Sequence, residues 1–472
     1  MKKLLIFTSL CLAFSVAQAK TLYVDISAGN DSTSYEANNS SNPWASLGRA
    51  TWGSTSHTNT NANQAARAGD VVIVRAGSYN VTAQTGQRYN PVYNPVNNGS
   101  SGNPITFRAD GNVVLSSSPD TAGGPLIGTL GRSHIVWDGF ILDERNINTN
   151  SDTGPVVIWE SDNITVQNLT VRGITSHWND NHNAIRIERS RDSLVRNNTL
   201  YGTRNAGNNR NGSAITIYYS NNITIEHNDI FDSVGGIYIK AGNGGPITIR
   251  YNYFHDLDGE GIAMVQLGTS SEQYGGQIYQ NIFRDSSAGI TFMSIDSYGP
   301  ANIDVVNNTF YNIGNGGIFF KPTASGYRDL VFANNIIANS NRGIQAEDIS
   351  DLSSMTYRNN MYSGNSTHAR VNYTNHSYSS WQNTFNKDTV GSLIADPAFA
   401  STTANTLNLS GSSQANNAGV DILNLQGQGT NASINLGAYV TGNEVIGVTT
   451  GSLPAIPVGG TSSAPPSPAV LY

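Results

Sequence analysis

Three side chains in this sequence are candidates for moving protons. Lys240 and Tyr218 are the last residues of two similar sequence segments, GIYIK (236–240) and AITIY (214–218). His182 lies in a polar segment before them. A lysine whose pKa is lowered by nearby positive charge is a general base, and a phenol can protonate a leaving oxygen. We therefore expect Lys240 to be a base, Tyr218 an acid and His182 an alternative base. The simpler interpretation is that they are ordinary surface side chains.

Basic, acidic and aromatic side chains surround these three candidates in the sequence. Charged residues form only 12% of the chain, so a local concentration of them is informative. Two polar segments, 172–183 and 202–213, are longer than the corresponding segments elsewhere, and long surface loops often carry function. Aromatic faces stack on sugar rings, and guanidinium groups bind carboxylates. The candidate substrate-binding residues are Trp178, Arg186, Glu188, Arg204, Arg210, Tyr238 and Lys321.

This combination of groups fits β-elimination on a sugar acid. The reaction needs a base for the proton α to the carboxylate, positive charge or hydrogen bonds for the resulting enolate-like anion, and an acid for the leaving oxygen. Lys240, Tyr218 and the arginines could supply all three. Hydrolysis would instead need two carboxyl groups a fixed distance apart. The carboxylates available for it are Glu188, Asp256, Asp258, Glu260 and Asp296.

A possible calcium site lies in the segment HDLDGEG. Asp256, Asp258 and Glu260 are closely spaced oxygen ligands of the kind that Ca²⁺ prefers. The commoner interpretation of such a segment is a polar turn in which Gly259 relaxes the backbone. Calcium is therefore a cofactor candidate, and these three residues are its candidate ligands.

The elements that must position these residues come from an internal repeat. From about residue 160 the chain cycles through a β-branched strand, an Asn, a large apolar residue, a polar turn and then Gly-Ile-x-apolar. No helical segment separates the strands, so the period indicates one solenoid turn. The fold class is all-β, a right-handed parallel β-helix of roughly ten coils with capped ends. One Asn per coil is expected to form an internal ladder, at Asn168, Asn198, Asn228, Asn252, Asn281, Asn308, Asn335 and Asn360.

The Gly-Ile-x-apolar strand also predicts which side chains face outward. Successive strand residues point to opposite faces, so the x positions lie on the surface. One outward column then contains Arg186, Tyr238 and their equivalents, and a second contains Glu188, Tyr218, Lys240, Lys321 and Glu347. Arg250 falls outside both columns. We expect it on a different sheet, in an ion-pair stack with residues Arg196, Glu226 and Arg358.

Residues 20–440 resemble the secreted right-handed parallel β-helix proteins that act on carbohydrates. The repeat quoted above, the N-terminal TLYVDISAGNDS and the C-terminal DPAF and LGAY carry the resemblance. Pectate lyases, alginate lyases and chondroitinase B-like lyases share this pattern, and polygalacturonase- and carrageenase-type hydrolases share it more distantly. The resemblance implies a sugar chain bound along the outward columns.

Both ends of the chain differ from the repeat. Residues 1–19 combine two lysines, an apolar run and Ala17-Gln18-Ala19, as in a signal peptide. The only cysteine, Cys11, lies in this segment. Trp44 and Trp52 are expected to plug the N-terminal end of the solenoid. The catalytic domain is placed at 20–442, and the Gly-, Ser- and Pro-rich stretch 443–472 is interpreted as a flexible tail.

Composition limits the partners. Without the first 19 residues the chain has 24 basic and 33 acidic residues, a net charge near −9, which disfavours nucleic acid. The apolar run within residues 1–19 is too short to span a membrane, and no later apolar segment is long enough to do so. We expect a monomer that is secreted, either extracellular or periplasmic. The leading hypothesis is a lyase for a uronate polymer such as alginate or pectate. The alternatives are a glycoside hydrolase for an acidic or sulfated galactan and a non-catalytic glycan-binding surface protein.

Overall fold

A computed structural model shows the predicted right-handed parallel β-helix. Two large sheets of parallel strands contain nearly all of the regular structure. There are about eight turns, slightly fewer than predicted. The structure describes residues 19–81, 89–117, 125–144, 154–172, 181–204, 210–240, 245–266, 275–294, 299–321, 327–349, 352–403 and 406–449.

The first sheet, here called the front sheet, contains the Gly-Ile-x-apolar strands and their equivalents in neighbouring coils. Neighbouring strands are parallel except for the last, which returns antiparallel. Its register matches the predicted columns, with Arg186 opposite Thr216 and Glu188 opposite Tyr218. The strands are Ile127–Leu130, Val156–Trp159, Ile185–Glu188, Ile215–Tyr218, Ile237–Lys240, Glu260–Gln266, Ala288–Ser294, Gly316–Phe320, Arg342–Ala346, Thr367–Val371 and Thr374–His376.

The second sheet, here called the curved sheet, receives two consecutive strands from most coils. A residue with left-handed backbone lies at the bend between them, such as Asn307 at φ 55°. The strands are Thr21–Val24, Val71–Val81, Ile105–Ser117, Ser133–Asp138, Ile141–Asp143, Asp162–Gln167, Thr170–Arg172, Arg191–Arg196, Thr199–Tyr201, Asn221–Glu226, Asp229–Ser233, Ile247–Arg250, Tyr253–Leu257, Gly276–Tyr279, Ile282–Arg284, Ala301–Val306, Thr309–Tyr311, Arg328–Ala333, Ile336–Ala338, Met355–Arg358, Met361–Ser363 and Leu393–Ile394.

The interior is a continuous apolar column. Ile185 and Ile187 are fully buried and lie directly over Ile215 and Ile217 of the next coil. Burying each such side chain contributes about 1.5–3 kcal/mol. Aromatic rings also stack along the axis, with Phe254, Phe283 and Phe310 nearly parallel at 4.9 and 4.7 Å between centroids. The strands therefore stay in register because a shift would expose this column.

A ladder of asparagines runs through the interior beside the apolar column. Each side-chain amide donates to the Oδ1 of the Asn in the next coil at 2.9–3.2 Å, and the last donates to the buried Asp388. Seven of the eight predicted members are confirmed. The ladder consists of Asn198, Asn228, Asn252, Asn281, Asn308, Asn335 and Asn360.

The prediction for Asn168 was wrong by one residue. Leu169 occupies the ladder slot in that coil, and its backbone N–H donates to Asn198 Oδ1 at 2.9 Å. Asn168 itself is exposed at the bend with φ 58° and accepts a hydrogen bond from Asn197 at 2.7 Å. The apolar Leu169 fills the buried position, and Asn168 takes the left-handed bend, a backbone conformation that Asn adopts readily.

Both ends of the solenoid are covered. The helix Leu47–Trp52 closes the N-terminal end, and Trp44 and Trp52 are buried there. The helix Tyr378–Phe385 buries Trp381 at the other end. Two short 3₁₀ turns, Ala62–Gln64 and Arg210–Gly212, complete the helical structure of the described residues. Within the described part of the chain, no helix has the length and apolarity needed to cross a membrane.

The segment after residue 406, here called the strap, runs back along the outside of the curved sheet. It contains one small hairpin, formed by Gly419–Val420 and Ser433–Ile434. The Val420 carbonyl accepts a hydrogen bond from Asn334, and Thr449 N–H donates to Asn197 Oδ1 at 2.7 Å. Contacts with the solenoid thus continue to residue 449. The remainder of the predicted tail lies outside the described residues, as does the predicted signal peptide up to residue 18.

The ladder makes a prediction about stability. Replacing Asn252 by Ala removes amide donors to Asn281 and to two carbonyls and leaves the Asn228 backbone N–H without its acceptor. We expect the free energy of unfolding to fall by about 3 kcal/mol, since buried polar groups lose their partners. Thermal or denaturant unfolding measures this. Asn168→Gly is the control, because it keeps the left-handed bend and should cost far less. Equal losses would contradict the assignment of the ladder.

Candidate active site on the front sheet

Five predicted residues come together on the outward face of three neighbouring front-sheet strands. Arg186 and Glu188 lie on one strand, Tyr218 on the next, and Tyr238 and Lys240 on the third. Strands in a sheet are about 4.8 Å apart, so these side chains are close neighbours. We call this group the Lys240 cluster.

Hydrogen bonds and aromatic contacts hold the cluster together. Arg186 donates from Nε and Nη2 to Glu188 Oε2 at 3.0 and 2.8 Å, and its guanidinium lies 4.6 Å from the centre of the Tyr218 ring. Lys240 Nζ lies 6.0 Å from that ring and 5.7 Å from the Tyr238 ring. All members except Lys240 are buried, and Lys240 is half-buried. The two tyrosine rings therefore place one guanidinium and one amine in the same small region.

Burial and charge both change the acidity of the cluster. Partial burial lowers the pKa of the Lys240 amine, and the positive charge of Arg186 lowers it further. Burial raises the pKa of the Tyr218 phenol, although Arg186 opposes that shift. The amine is thereby easier to deprotonate than an ordinary lysine, while the phenol keeps its proton. A neutral base and a protonated acid are the forms that elimination requires.

Apolar residues interrupt the outward columns beyond the Lys240 cluster. After Tyr238 and Lys240 they continue with the apolar Ala263, Val265 and Met293, which form a buried cluster with Tyr238. Lys321 lies three front-sheet strands beyond Lys240, so their positions are roughly 14 Å apart. It pairs with Glu260 at 3.0 Å. Lys321 therefore does not belong to the Lys240 cluster.

Glu347 lies at the far end of the same columns. It accepts a hydrogen bond from Gln345 at 2.6 Å and lies 3.7 Å from Arg370.

His182 lies apart from the cluster as well. It precedes the strand Ile185–Glu188, so it is at the opposite edge of the front sheet from Lys240. Its Nε2 is 3.0 Å from Glu144 Oε2, and both side chains are buried. Sequence reasoning missed Glu144, which is 38 residues away along the chain. The structure does not bring His182 to the other two proposed catalytic residues.

Arg204 and its partners occupy the turns beside the curved sheet. Its guanidinium bridges Asp232, at 2.6 Å, and Asp258. The hydrogen bond to Asp232 is the main reason that the pKa of Arg204 is raised. Arg204 is therefore engaged by two carboxylates and is not part of the Lys240 cluster.

The three calcium candidates are separated by their partners. Asp258 pairs with Arg204, Glu260 pairs with Lys321, and Asp256 lies 2.6 Å from His255 Nδ1. In the ranges that the structure describes, no group of three or more His, Cys, Asp or Glu residues could hold a metal ion. These three carboxylates do not fit a calcium site as they are arranged. A calcium requirement stays a prediction.

His255 lies beside Asp256 and also contacts Asp229. Burial opposes its charged form, but hydrogen bonds to Asp229 and Asp256 outweigh it, so the pKa of His255 is raised.

Four other residues named in the sequence analysis remain to be placed. Arg250 lies on the curved sheet, as predicted, and pairs with Glu226 at 2.6 Å. Trp178 and Asp296 lie outside the described residues. Only the backbone of Arg210 is described.

The cluster predicts how Lys240 titrates. Four lysines follow residue 19, so ¹³C labelling at the lysine Cε gives few signals. In Arg186→Gln the pKa of Lys240 should rise, because a positive charge is removed and Glu188 loses its partner. The measurement is an NMR pH titration, with the Lys240 signal assigned by its loss in Lys240→Met. The Lys321 signal is the internal control. An unchanged Lys240 titration would contradict the electrostatic account.

Comparisons with known proteins agree with the fold. Residues 154–327 match the model of the family described as right handed beta helix region. No curated protein gives a significant match over the sequence. Among solved structures, the chain is similar to pectate lyase Pel9A, with a TM-score of 0.60, 16% identity, and coverage of 90% of this chain and 97% of that one.

Two further structures are more distant. The complex of XylC with xylose has a TM-score of 0.47 and 13% identity, covering 80% of this chain and 87% of that one. PfbA, a surface adhesin of Streptococcus pneumoniae, has a TM-score of 0.44 and 16% identity, covering 62% and 77%. At these identities the likeness is one of fold. The family-model match and the likeness to pectate lyase Pel9A agree that this chain has the right-handed parallel β-helix fold.

Proposed function

We propose that this protein is a secreted polysaccharide lyase that cleaves a uronate polymer by β-elimination. The observation that carries the proposal is the half-buried Lys240, which lies beside the ring of Tyr218. Its pKa is lowered by burial and by the positive charge of Arg186. A lysine shifted in this direction on a rigid outward sheet face suits a general base. Secretion is proposed from the signal-like residues 1–19.

The reaction follows from the charges of the cluster. The neutral amine of Lys240 removes the proton on the carbon α to the uronate carboxylate. The electrons form a carbon–carbon double bond as the bond to the glycosidic oxygen at the β position breaks. The phenol of Tyr218 gives its proton to that oxygen. Lys240 ends protonated and Tyr218 deprotonated, and a proton exchange with water restores both.

Arg186 has an electrostatic role in this scheme. Its guanidinium is already bonded to Glu188, so it stays fixed on the Tyr218 ring. From there its charge favours the neutral form of Lys240 and stabilises the negative charge that develops during proton removal. Glu188 acts as a positioning residue, because it orients Arg186. The substrate is a uronate polymer, because elimination requires a proton on the carbon next to a carboxyl group, and uronate units carry that group.

The likeness to pectate lyase Pel9A is consistent with this proposal but does not carry it. The two chains share 16% identity, and parallel β-helices support more than one reaction. The argument therefore depends on Lys240, Tyr218 and Arg186 themselves. Pectate and alginate are the polymers to test first.

Ultraviolet absorbance tests the reaction class. The double bond left by elimination is conjugated with the carboxylate and absorbs, whereas hydrolysis leaves no such bond. Polygalacturonate, alginate and chondroitin are each incubated with the protein, with and without calcium. We expect absorbance to rise on one polymer. Lys240→Ala should lower the rate by about 10²–10⁴-fold, as expected for loss of a general base. Lys321→Ala, a change three front-sheet strands away, should retain the wild-type rate.

The outcomes separate the three functions. Reducing ends without absorbance would indicate a hydrolase and would overturn the elimination. Binding without turnover of any polymer would indicate a glycan-binding protein. Full activity in Lys240→Ala with loss in His182→Ala would overturn the assignment of the base, provided that both variants unfold at the wild-type temperature.

The pH dependence gives a second test. Because the base must be deprotonated, kcat/KM should rise with pH and level off above the pKa of Lys240. That pKa is below the ordinary lysine value, so the plateau should begin at a lower pH than for an exposed lysine. In Arg186→Gln the rising limb should move to higher pH. A limb that does not move would contradict the role given to Arg186.

A further inference from the structure

A pocket lies at the bends that follow three front-sheet strands, beside the Lys240 cluster but lined by other residues. Its volume is about 320 Å³, within the range of ligand sites. Each of the three bends contributes side chains to it. The lining residues are Glu160, Asp162, Arg189, Ser190, Arg191, Tyr219 and Asn221.

Tyr219 is the aromatic face of this pocket. Its side chain is 52% exposed, and in the described ranges only Tyr373 is an equally exposed large aromatic. Its backbone is left-handed, with φ 46°. Bulky residues seldom adopt this conformation because it is strained, and glycine or asparagine would relieve the strain. What distinguishes Tyr219 from Tyr373 is that its exposed ring lines a pocket and can offer one face to a ligand.

Arg189 connects Tyr219 to the wall of the pocket. It lies at the equivalent bend of the preceding coil, with φ 50°. Its guanidinium is 5.7 Å from the Tyr219 ring and 5.4 Å from the ring of Trp159. Trp159 is buried, and Tyr89 stacks on it at 3.6 Å. Arg189 thus brings hydrogen-bond donors close to the Tyr219 ring.

The charges of the pocket balance. Arg191 pairs with Asp162 at 3.0 Å, and Arg189 lies 4.0 Å from Glu160. Two guanidinium groups supply hydrogen-bond donors and two carboxylates supply acceptors around one aromatic ring. Their positive and negative charges are equal in number. Vicinal hydroxyl groups can donate and accept together, whereas an anionic ligand would meet Glu160 and Asp162. The Lys240 cluster differs in composition, because it has two basic side chains, Arg186 and Lys240, and a single carboxylate, Glu188.

We infer that this pocket binds a neutral pyranose residue of a polysaccharide, with the sugar ring stacked on Tyr219 and its hydroxyls bonded to the Arg and carboxylate side chains. The site is separate from the elimination proposed at Lys240, and it would bind sugar whether or not that reaction takes place. On a branched polymer it would hold an uncharged branch next to the uronate backbone.

Affinity electrophoresis tests the inference without requiring turnover. The full chain is run in native gels that contain galactan, xylan, mannan or polygalacturonate. One of the neutral polymers should retard the wild-type protein. Tyr219→Asn should weaken that retardation about tenfold, since it removes the stacking face. Asn accepts the left-handed backbone, so the fold should be unaffected or stabilised.

Tyr373→Asn is the matched control. Tyr373 is 56% exposed and has φ 65°, but it lies at the far end of the front sheet, outside the pocket. It should bind like the wild type, and 0.5 M NaCl should leave retardation by the neutral polymer nearly unchanged because no net charge is matched. Retention of binding in Tyr219→Asn would overturn the inference. So would retardation by polygalacturonate alone that salt abolishes, or the lack of any retardation.

Discussion

Hydrogen bonding between successive coils in fixed register is the constraint on which the other features of this structure depend. Each front-sheet strand pairs residue for residue with the next, so Ile185 lies over Ile215 and Glu188 beside Tyr218. The Asn ladder holds the same register inside the solenoid through amide bonds from coil to coil. A slip of one residue would turn the buried isoleucines outward and break the ladder together.

The same register creates the chemistry at the surface. A charged or aromatic residue in one coil is brought about 4.8 Å from its equivalent in the next, without any contact in sequence. In this way Arg186 comes to lie against Tyr218 and to lower the pKa of Lys240, two coils away. The bends repeat with the strands, so Arg189 and Tyr219 are stacked into a second surface of balanced charge. Two neighbouring sites of different electrostatic character thus arise from one repeat.

The repeat predicted the fold and the outward columns because β-branched side chains must alternate between core and surface. The repeat gave the wrong ladder residue where an alignment by residue type differs from the strand register. In QNLT the single Asn168 was aligned with Asn198 of RNNTL, whereas alignment of the following threonines, Thr170 and Thr199, gives the observed register. Side-chain pairing was not predictable either. His182 was proposed as a base, but its buried partner Glu144 is distant in sequence, and the partner of Arg186 depended on rotamers.

The most direct test of the account is chemical rescue of Lys240→Ala on the polymer that the wild-type protein cleaves. If Lys240 is the base, small primary amines should restore formation of the unsaturated product in proportion to the concentration of their neutral form. Tyr218→Phe should show no such rescue, because the missing group is an acid. Rescue absent for every amine, in a variant that remains folded and binds the polymer, would contradict the central claim that Lys240 removes the proton.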